Sequence, residues 1–204
     1  GRVTVNNKII QPGYKVQENE IVKVDGEKIK SNFKKNIYMA FNKPKGIVCT
    51  TDTEKEENNI IDYINYNKRI FPIGRLDKLS EGLILLTNDG DIVNKILRSR
   101  YKNEKEYLVT VNKKISKDFL KKLENGVPIL NTTTRKCKTT LINDFQFKII
   151  LTQGLNRQIR RMCEYFDFRV KKLERIRIIN IELDVPLGKW RYLSQEEIKF
   201  LKNL

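Results

Sequence analysis

The 204-residue chain contains no histidine. That absence removes Ser-His and Cys-His nucleophile pairs, histidine general bases and the histidine-containing zinc site of deaminases together. Cysteine is scarce too. Cys49, Cys137 and Cys163 stand far apart with no Cys-x-x-Cys pair, so neither a disulfide scaffold nor a structural metal is expected. No stretch approaches the run of about 18 apolar residues that a membrane helix needs, and none resembles a cleaved leader. A soluble, cytoplasmic protein without membrane contact is the expectation. If the chain is an enzyme, its chemistry must run on carboxylate, tyrosine, lysine or arginine.

Positive charge is abundant. Lys and Arg number 41 against 25 Asp and Glu, a formal net charge of +16. A surplus of that size on a folded domain points to a polyanionic partner, here nucleic acid, although a chain rich in Lys, Asn and Ile inflates the lysine count. The length suffices for one sizeable core and a small extra module.

Residues 1 to 30 carry short alternating apolar runs, Val3 with Val5 and Ile21, Val22 with Val24, separated by "NNK", "QPG" and "VDGEK" turn signals. They predict a small β module. It opens without Met in the middle of what reads as a strand, so residues preceding it in the natural protein are expected. The pattern changes near residues 31 to 36, which gives a first module over 1–32 and a main domain over 33–204. In the main domain "IYMAFNKP", "GLILLTNDG", "EYLVTV", "FQFKIIL" and "RIRIINIEL" read as strands. Helices are predicted after Asn58 or Asn59, from Asp91, after Ser116 with Gly126 just past the end, over 155–166, and after Ser194. The mixture lacks a regular βαβ rhythm, so the fold class is α+β with a mixed, largely antiparallel central sheet flanked by helices.

Three features bear on chemistry. Asp77 lies in "IGRLDKLSEG" between Arg75 and Lys78, followed by Gly82 and an apolar strand able to hold it in place. An acid in a loop is ordinarily a turn former or a cap, but cationic neighbours favour the charged, nucleophilic form of a carboxylate. In the 155–166 segment Leu155, Ile159, Met162, Cys163 and Phe166 fall on one helical stripe and Arg157, Arg160 and Arg161 on the other. An all-arginine face suits bidentate phosphate contact better than plain solvation, and Arg169, Lys171, Lys172, Arg175 and Arg177 extend the patch. Tyr107, at the head of a strand, reads equally as an ordinary half-buried aromatic or as a platform for a displaced base.

Taken in order, "GRLDKLSEGLILLTNDG", "KEYLVTV", "GLNRQIRRMCEYF" and "PLGKWRYLS" resemble the RsuA-type ribosomal RNA pseudouridine synthases, and "DIVNKILR" and "RKCK" are most similar to the RluF branch of that family. The resemblance runs from about Ile37 to the C-terminal helix, and residues 1 to 30 resemble the second half of an S4-like RNA-binding module whose helical first half is not in this chain. It implies a pseudouridine synthase-like catalytic domain, acting without cofactor or metal on a uridine in a stem-loop of large-subunit ribosomal RNA, with transfer RNA as a further candidate and the enzyme a monomer. It makes Asp77 the nucleophile, Tyr107 the residue packed against the flipped uracil and Arg160 the partner of Asp77. RNA contacts would come from Gly74, Arg75, Leu76 and Lys78 and from Asn156, Arg157, Gln158, Ile159 and Arg161. Leu79 stands where that family often has a polar residue, and Asp167 where this branch commonly has glycine after the helix, a place that Asp tolerates better than most residues.

Two other classes compete with this one. A non-catalytic RNA-binding or ribosome-assembly factor on the same scaffold has no need of an acid at the centre of a basic site. A metal-dependent nuclease needs several converging acids, and none cluster in sequence near Asp77.

Overall fold

Asparagine, aspartate and glycine in the left-handed region shape the first 29 residues. β1 (Val3–Val5) and β2 (Lys8–Ile9) are joined by Asn6 and Asn7 at φ 49° and 66°, and β3 (Val22–Val24) and β4 (Glu27–Lys28) by Asp25 and Gly26 at φ 52° and 85°. Paired positive φ values at both central positions are what a tight hairpin turn of the right twist requires. The strands form one antiparallel sheet in the order β2-β1-β3-β4, in which Val5 is buried. The structure is a computed structural model that describes residues 1–17, 19–29, 36–97 and 102–204. It divides into the units Gly1–Lys35 and Asn36–Leu204. Among the described residues no helix is long and apolar enough to cross a membrane.

In the second unit the strands are β5 (Tyr38–Lys43), β6 (Phe71–Ile73), β7 (Glu81–Thr87), β8 (Lys105–Val111), β9 (Pro128–Ile129), β10 (Thr132–Thr133), β11 (Lys138–Asn143), β12 (Gln146–Leu151), β13 (Val170–Ile178), β14 (Ile181–Glu182) and β15 (Trp190–Tyr192). β9 and β10 form a separate hairpin; the rest build one nine-stranded sheet with the path β11-β12-β8-β13-β7-β5-β15, β14 adding to β13 and β6 to β7. Every pairing in it is antiparallel except β7 with β13. The α+β class with a mixed, largely antiparallel sheet is therefore what the sequence folds into.

That parallel join divides the sheet into two halves. In the half built on β5 and β7, alternate residues face two cores: Ala40, Leu83 and Leu85 pack with Ile92 and Ile96, while Met39, Phe41, Ile84 and Leu86 pack with Ile60 and Leu76. Burial on both faces explains the uninterrupted apolar run of "GLILL". In the other half only one face is covered, so β12 alternates half-buried and buried residues, with Phe147, Ile149 and Leu151 facing inward.

Helix ends follow their capping residues. Asn59 accepts from the amides of Ile61 and Asp62 to open α1 (Ile60–Ile64). α2 (Gly90–Leu97) opens one residue before Asp91, because the Asp89 carboxylate accepts from the Asp91 amide. Ser116 caps α3 (Lys117–Glu124), which Gly126 terminates at φ 95°, and Ser194 forms a full capping box with Glu197 at the start of α5 (Gln195–Lys202).

Two sequence expectations need correction. The helix expected over 155–166 is α4 (Gln158–Glu164): Arg157 adopts φ 50° at its start, and Leu155 and Phe166 pack on the core from outside the helix. The strand expected through "RIRIINIEL" is a hairpin, because Ile179 turns at φ 57° and folds β14 back on β13. Alternation continues across that turn, so periodicity alone could not reveal it.

Candidate active site

The acid-bearing loop runs between β6 and β7, and its backbone is gripped at every step after the acid. The Asp77 carbonyl accepts from the Ser80 amide at 2.9 Å and the Lys78 carbonyl from the Gly46 amide at 2.7 Å. The Leu79 carbonyl accepts from Arg160 Nη2 at 3.0 Å and the Ser80 carbonyl from Lys43 Nζ at 2.8 Å. Lys43 is fully buried at the end of β5 and Arg160 is only 6% exposed. Burial pushes the Lys43 ammonium down from its ordinary value, while nearby Cys49, Asp77 and Glu81 work against that shift. Burial likewise lowers the Arg160 guanidinium, with Arg157 adding to the effect and Asp77 opposing it. The hydrogen bonds of both buried cations fix the chain that carries Asp77.

Arg160 departs from its expected setting. It does not share an exposed face with Arg157 and Arg161 but turns inward, donating to the Val170 carbonyl, the Leu79 carbonyl and Ser80 Oγ at 3.2, 3.0 and 3.3 Å. Among the described residues no direct ion pair joins it to Asp77; it holds Leu79 and Ser80, two and three positions further along the loop. The physical reason is the width of the buried face: α4 buries Gln158, Ile159, Arg160, Met162 and Cys163, and Arg160 at the edge of that face reaches Val170 of β13 and Leu79 and Ser80 of the acid loop.

Asp77 is half-buried and lines a cavity of about 100 Å³ together with Arg75, Tyr107, Arg157, Gln158 and Ile159. Tyr107 comes from β8 and packs at the boundary of two cores, with the Arg175 guanidinium 6.0 Å from its ring centre. Arg75 is exposed on the rim. The arrangement places one carboxylate, one aromatic wall and a cationic margin around a space bounded by apolar Leu151, Leu155 and Leu173. Chemically it can hold a flat polar ring against the tyrosine and present a carboxylate to an electrophilic carbon beside it.

The other expected contact residues divide by exposure. Gly74 turns the chain at φ 77°. Leu76 is a core residue whose amide donates to Cys49 Sγ. Lys78 is exposed and paired with Glu56 at 3.1 Å. Gln158 is buried and accepts from the Leu155 amide, bracing the start of α4; Ile159 is core. Asn156 accepts two bonds from Arg161. Of this set Arg75, Arg157, Arg161, Asn156 and Lys78 retain surface available to a ligand, whereas Leu76, Gln158 and Ile159 shape the cavity from behind. Sequence reasoning passed over Lys43 and Ser80, although a lysine closing a fully buried strand is a site in need of partners. It also took Arg175 for surface charge, whereas the residue is 3% exposed. Among the described residues no group of three or more carboxylate or cysteine side chains is gathered that could hold a metal ion.

Comparison with known proteins identifies the family and the fold. A family model described as RNA pseudouridylate synthase matches residues 37–165. The dual-specificity RNA pseudouridine synthase RluF of Escherichia coli K12 is 52% identical over 97% of this chain and 69% of its own length. The ribosomal large subunit pseudouridine synthase B of Bacillus subtilis is 33% identical over 100% of this chain and 86% of its own. A crystal structure of a pseudouridylate synthase superposes with TM-score 0.78 at 26% identity, covering 98% of this chain and 88% of that one.

Proposed function

The chain belongs to the RNA pseudouridylate synthase family, in the RluF branch of the RsuA type, and from that premise we propose that it isomerises a uridine in a stem-loop of large-subunit ribosomal RNA with Asp77 as the nucleophile. Transfer RNA is a second substrate class in this reading, supported by the words "dual-specificity" in the name of the Escherichia coli relative. The first unit serves as an S4-like RNA-binding module.

The observation that carries the reading is a single carboxylate lining a small cavity together with a tyrosine, on a loop whose four successive carbonyls from Asp77 to Ser80 are all hydrogen-bonded. The target uridine leaves its stack at a cost of about a few kcal/mol and packs against Tyr107, while Arg75 on the rim fills the space it vacates. The bond between N1 and the ribose C1′ breaks, the uracil turns, and a bond between C5 and C1′ forms; the hydrogen leaving C5 is balanced by one gained at N1, so the product is an isomer. Arg160 and Lys43 supply fixed positive charge close to the carboxylate, set in place before substrate arrives. Arg157 and Arg161 contact phosphates.

Asp77→Asn should form no pseudouridine while binding the RNA about as well as the wild type. Pseudouridine mapping in ribosomal RNA from cells with and without the gene would show one lost site. Conversion by Asp77→Asn at the wild-type rate would overturn the assignment of the nucleophile.

A further inference from the structure

Beside the small cavity lies a larger one of about 340 Å³ that shares Arg75, Tyr107, Gly154 and Leu155 with it. Its floor is apolar, from Ile73, Ile96, Leu97 and Ile178, and its walls carry Arg75, Lys105, Arg135 and Arg175 with no carboxylate among the described lining residues. Lys105 and Arg175 come from paired strands: Arg175 lies opposite Tyr107 and Ile178 opposite Lys105 in the β8 to β13 register.

Both are poorly satisfied. Arg175 Nε donates to the Leu83 carbonyl at 2.7 Å, yet Nη2 is buried and has no hydrogen-bond partner, in a residue only 3% exposed. A buried guanidinium with idle donors is costly unless something else accepts from them. Lys105 makes one long bond, to the Asn103 carbonyl at 3.4 Å. Burial and the neighbouring Arg175 push its ammonium down to about 8, so the pair repel each other until an anion lies between them. The cavity adjoins the wall of Tyr107, so a strand delivering a base to Asp77 must continue past it.

We propose that this second cavity is a phosphodiester subsite, in which Lys105 and Arg175 hold the phosphate next to the target uridine and the apolar floor supports the neighbouring nucleoside. The assignment rests on the pseudouridine synthase reading for the identity of the strand. It goes beyond that reading in giving the half-buried Lys105 of β8 and the buried Arg175 of β13 a role in choosing how the RNA enters.

The test is a scan of neutral linkages. The substrate is the large-subunit stem-loop in which the wild-type chain forms pseudouridine, synthesised with one methylphosphonate at a time around the uridine. Binding is measured with Asp77→Asn, so that turnover does not intervene. One linkage adjacent to the uridine should weaken binding roughly tenfold, the effect of losing one charge-assisted contact. Adding Lys105→Gln should produce a similar loss on the all-phosphate RNA and no further loss on the RNA neutral at that linkage, whereas Lys105→Arg should stay within about threefold of the Asp77→Asn parent. Additive losses, an unchanged affinity for Lys105→Gln, or no linkage near the uridine that stands out would each overturn the subsite. Should Lys105→Gln fail to fold, the linkage scan on Asp77→Asn alone decides. A wild-type chain that forms no pseudouridine in any such RNA refutes the functional reading instead, and the scan then moves to single-stranded oligouridylate. Competition by inorganic phosphate at millimolar concentration separates a subsite for any free phosphate from one that needs the polymer.

Discussion

Asp77 and Arg160 illustrate how a site residue and its support differ in what they demand of the chain. The carboxylate must stay partly open to a ligand, whereas Arg160 donates to Val170, Leu79 and Ser80 from within the core. Replacing it with methionine keeps the volume but leaves two carbonyls and a hydroxyl without their donor, a loss of about 3 kcal/mol. Because those acceptors lie in and beside the acid loop, Arg160→Met should lower kcat roughly hundredfold, the scale of a small misplacement of a reacting group, with KM changed far less. Urea unfolding and steady-state assays check the two parts; a kcat near wild type would remove Arg160 from the positioning role. At this scale the sequence was partly legible. Asp77 stood out because two cations flank it, and Tyr107 because a strand begins there. The inward turn of Arg160 was hidden, since a stripe drawn through Leu155, Ile159, Met162, Cys163 and Phe166 leaves all three arginines outside it, whereas the buried face of α4 is wide enough to take in both Gln158 and Arg160.

At the scale of elements, capping chemistry was readable and strand pairing was not. Asn59, Ser116 and Ser194 cap the helices they precede, and Asp167 sits at φ 59°, the left-handed conformation foreseen for it. No periodicity could reveal that β7 lies beside β13, because partners so distant in sequence leave no local trace. That junction turns on Gly82, which takes φ 100° and lies so close to the neighbouring strand that an added Cβ would meet the Arg175 carbonyl oxygen at 2.4 Å and its amide nitrogen at 2.7 Å. Backbone cannot move aside as a flexible side chain can. Gly82→Ala should therefore cost about 3 kcal/mol or more, read by chemical denaturation. A loss under about 1 kcal/mol would mean that the two strands can separate without penalty, since that is all a helix or strand glycine ordinarily gains or loses against alanine.

For the whole molecule the governing quantity is the formal charge of +16. That figure is the surplus left after every acid is counted, including those paired locally, as in Arg177 with Glu104 and Glu106 or Arg191 with Asp184 and Glu197. RNA binding is expected to weaken with salt by roughly 0.7 log units of affinity per log unit of salt for each single-strand phosphate contact. Arg157→Gln should reduce that slope by about one such contact while leaving the sequence preference alone. A salt-independent affinity would argue against an electrostatic RNA surface.

The parallel junction also dictates an order of events. Asp77 belongs to the half of the sheet built on β5, β6 and β7, Tyr107 and Arg160 to the half built on β8, β12 and β13, and the halves meet in the pairs Glu174 with Glu81 and Arg175 with Gly82. The Arg175 bond to Leu83 spans 92 positions of chain, whereas β11 and β12 form a local hairpin. Closing the long connection costs more chain entropy than closing a hairpin, and parallel pairing is slow to form. Refolding from denaturant should accordingly regain far-ultraviolet dichroism before it regains pseudouridine formation, with Gly82→Ala lengthening the interval; simultaneous recovery would show that the halves assemble together. Catalysis in this chain is thus the last thing that folding delivers.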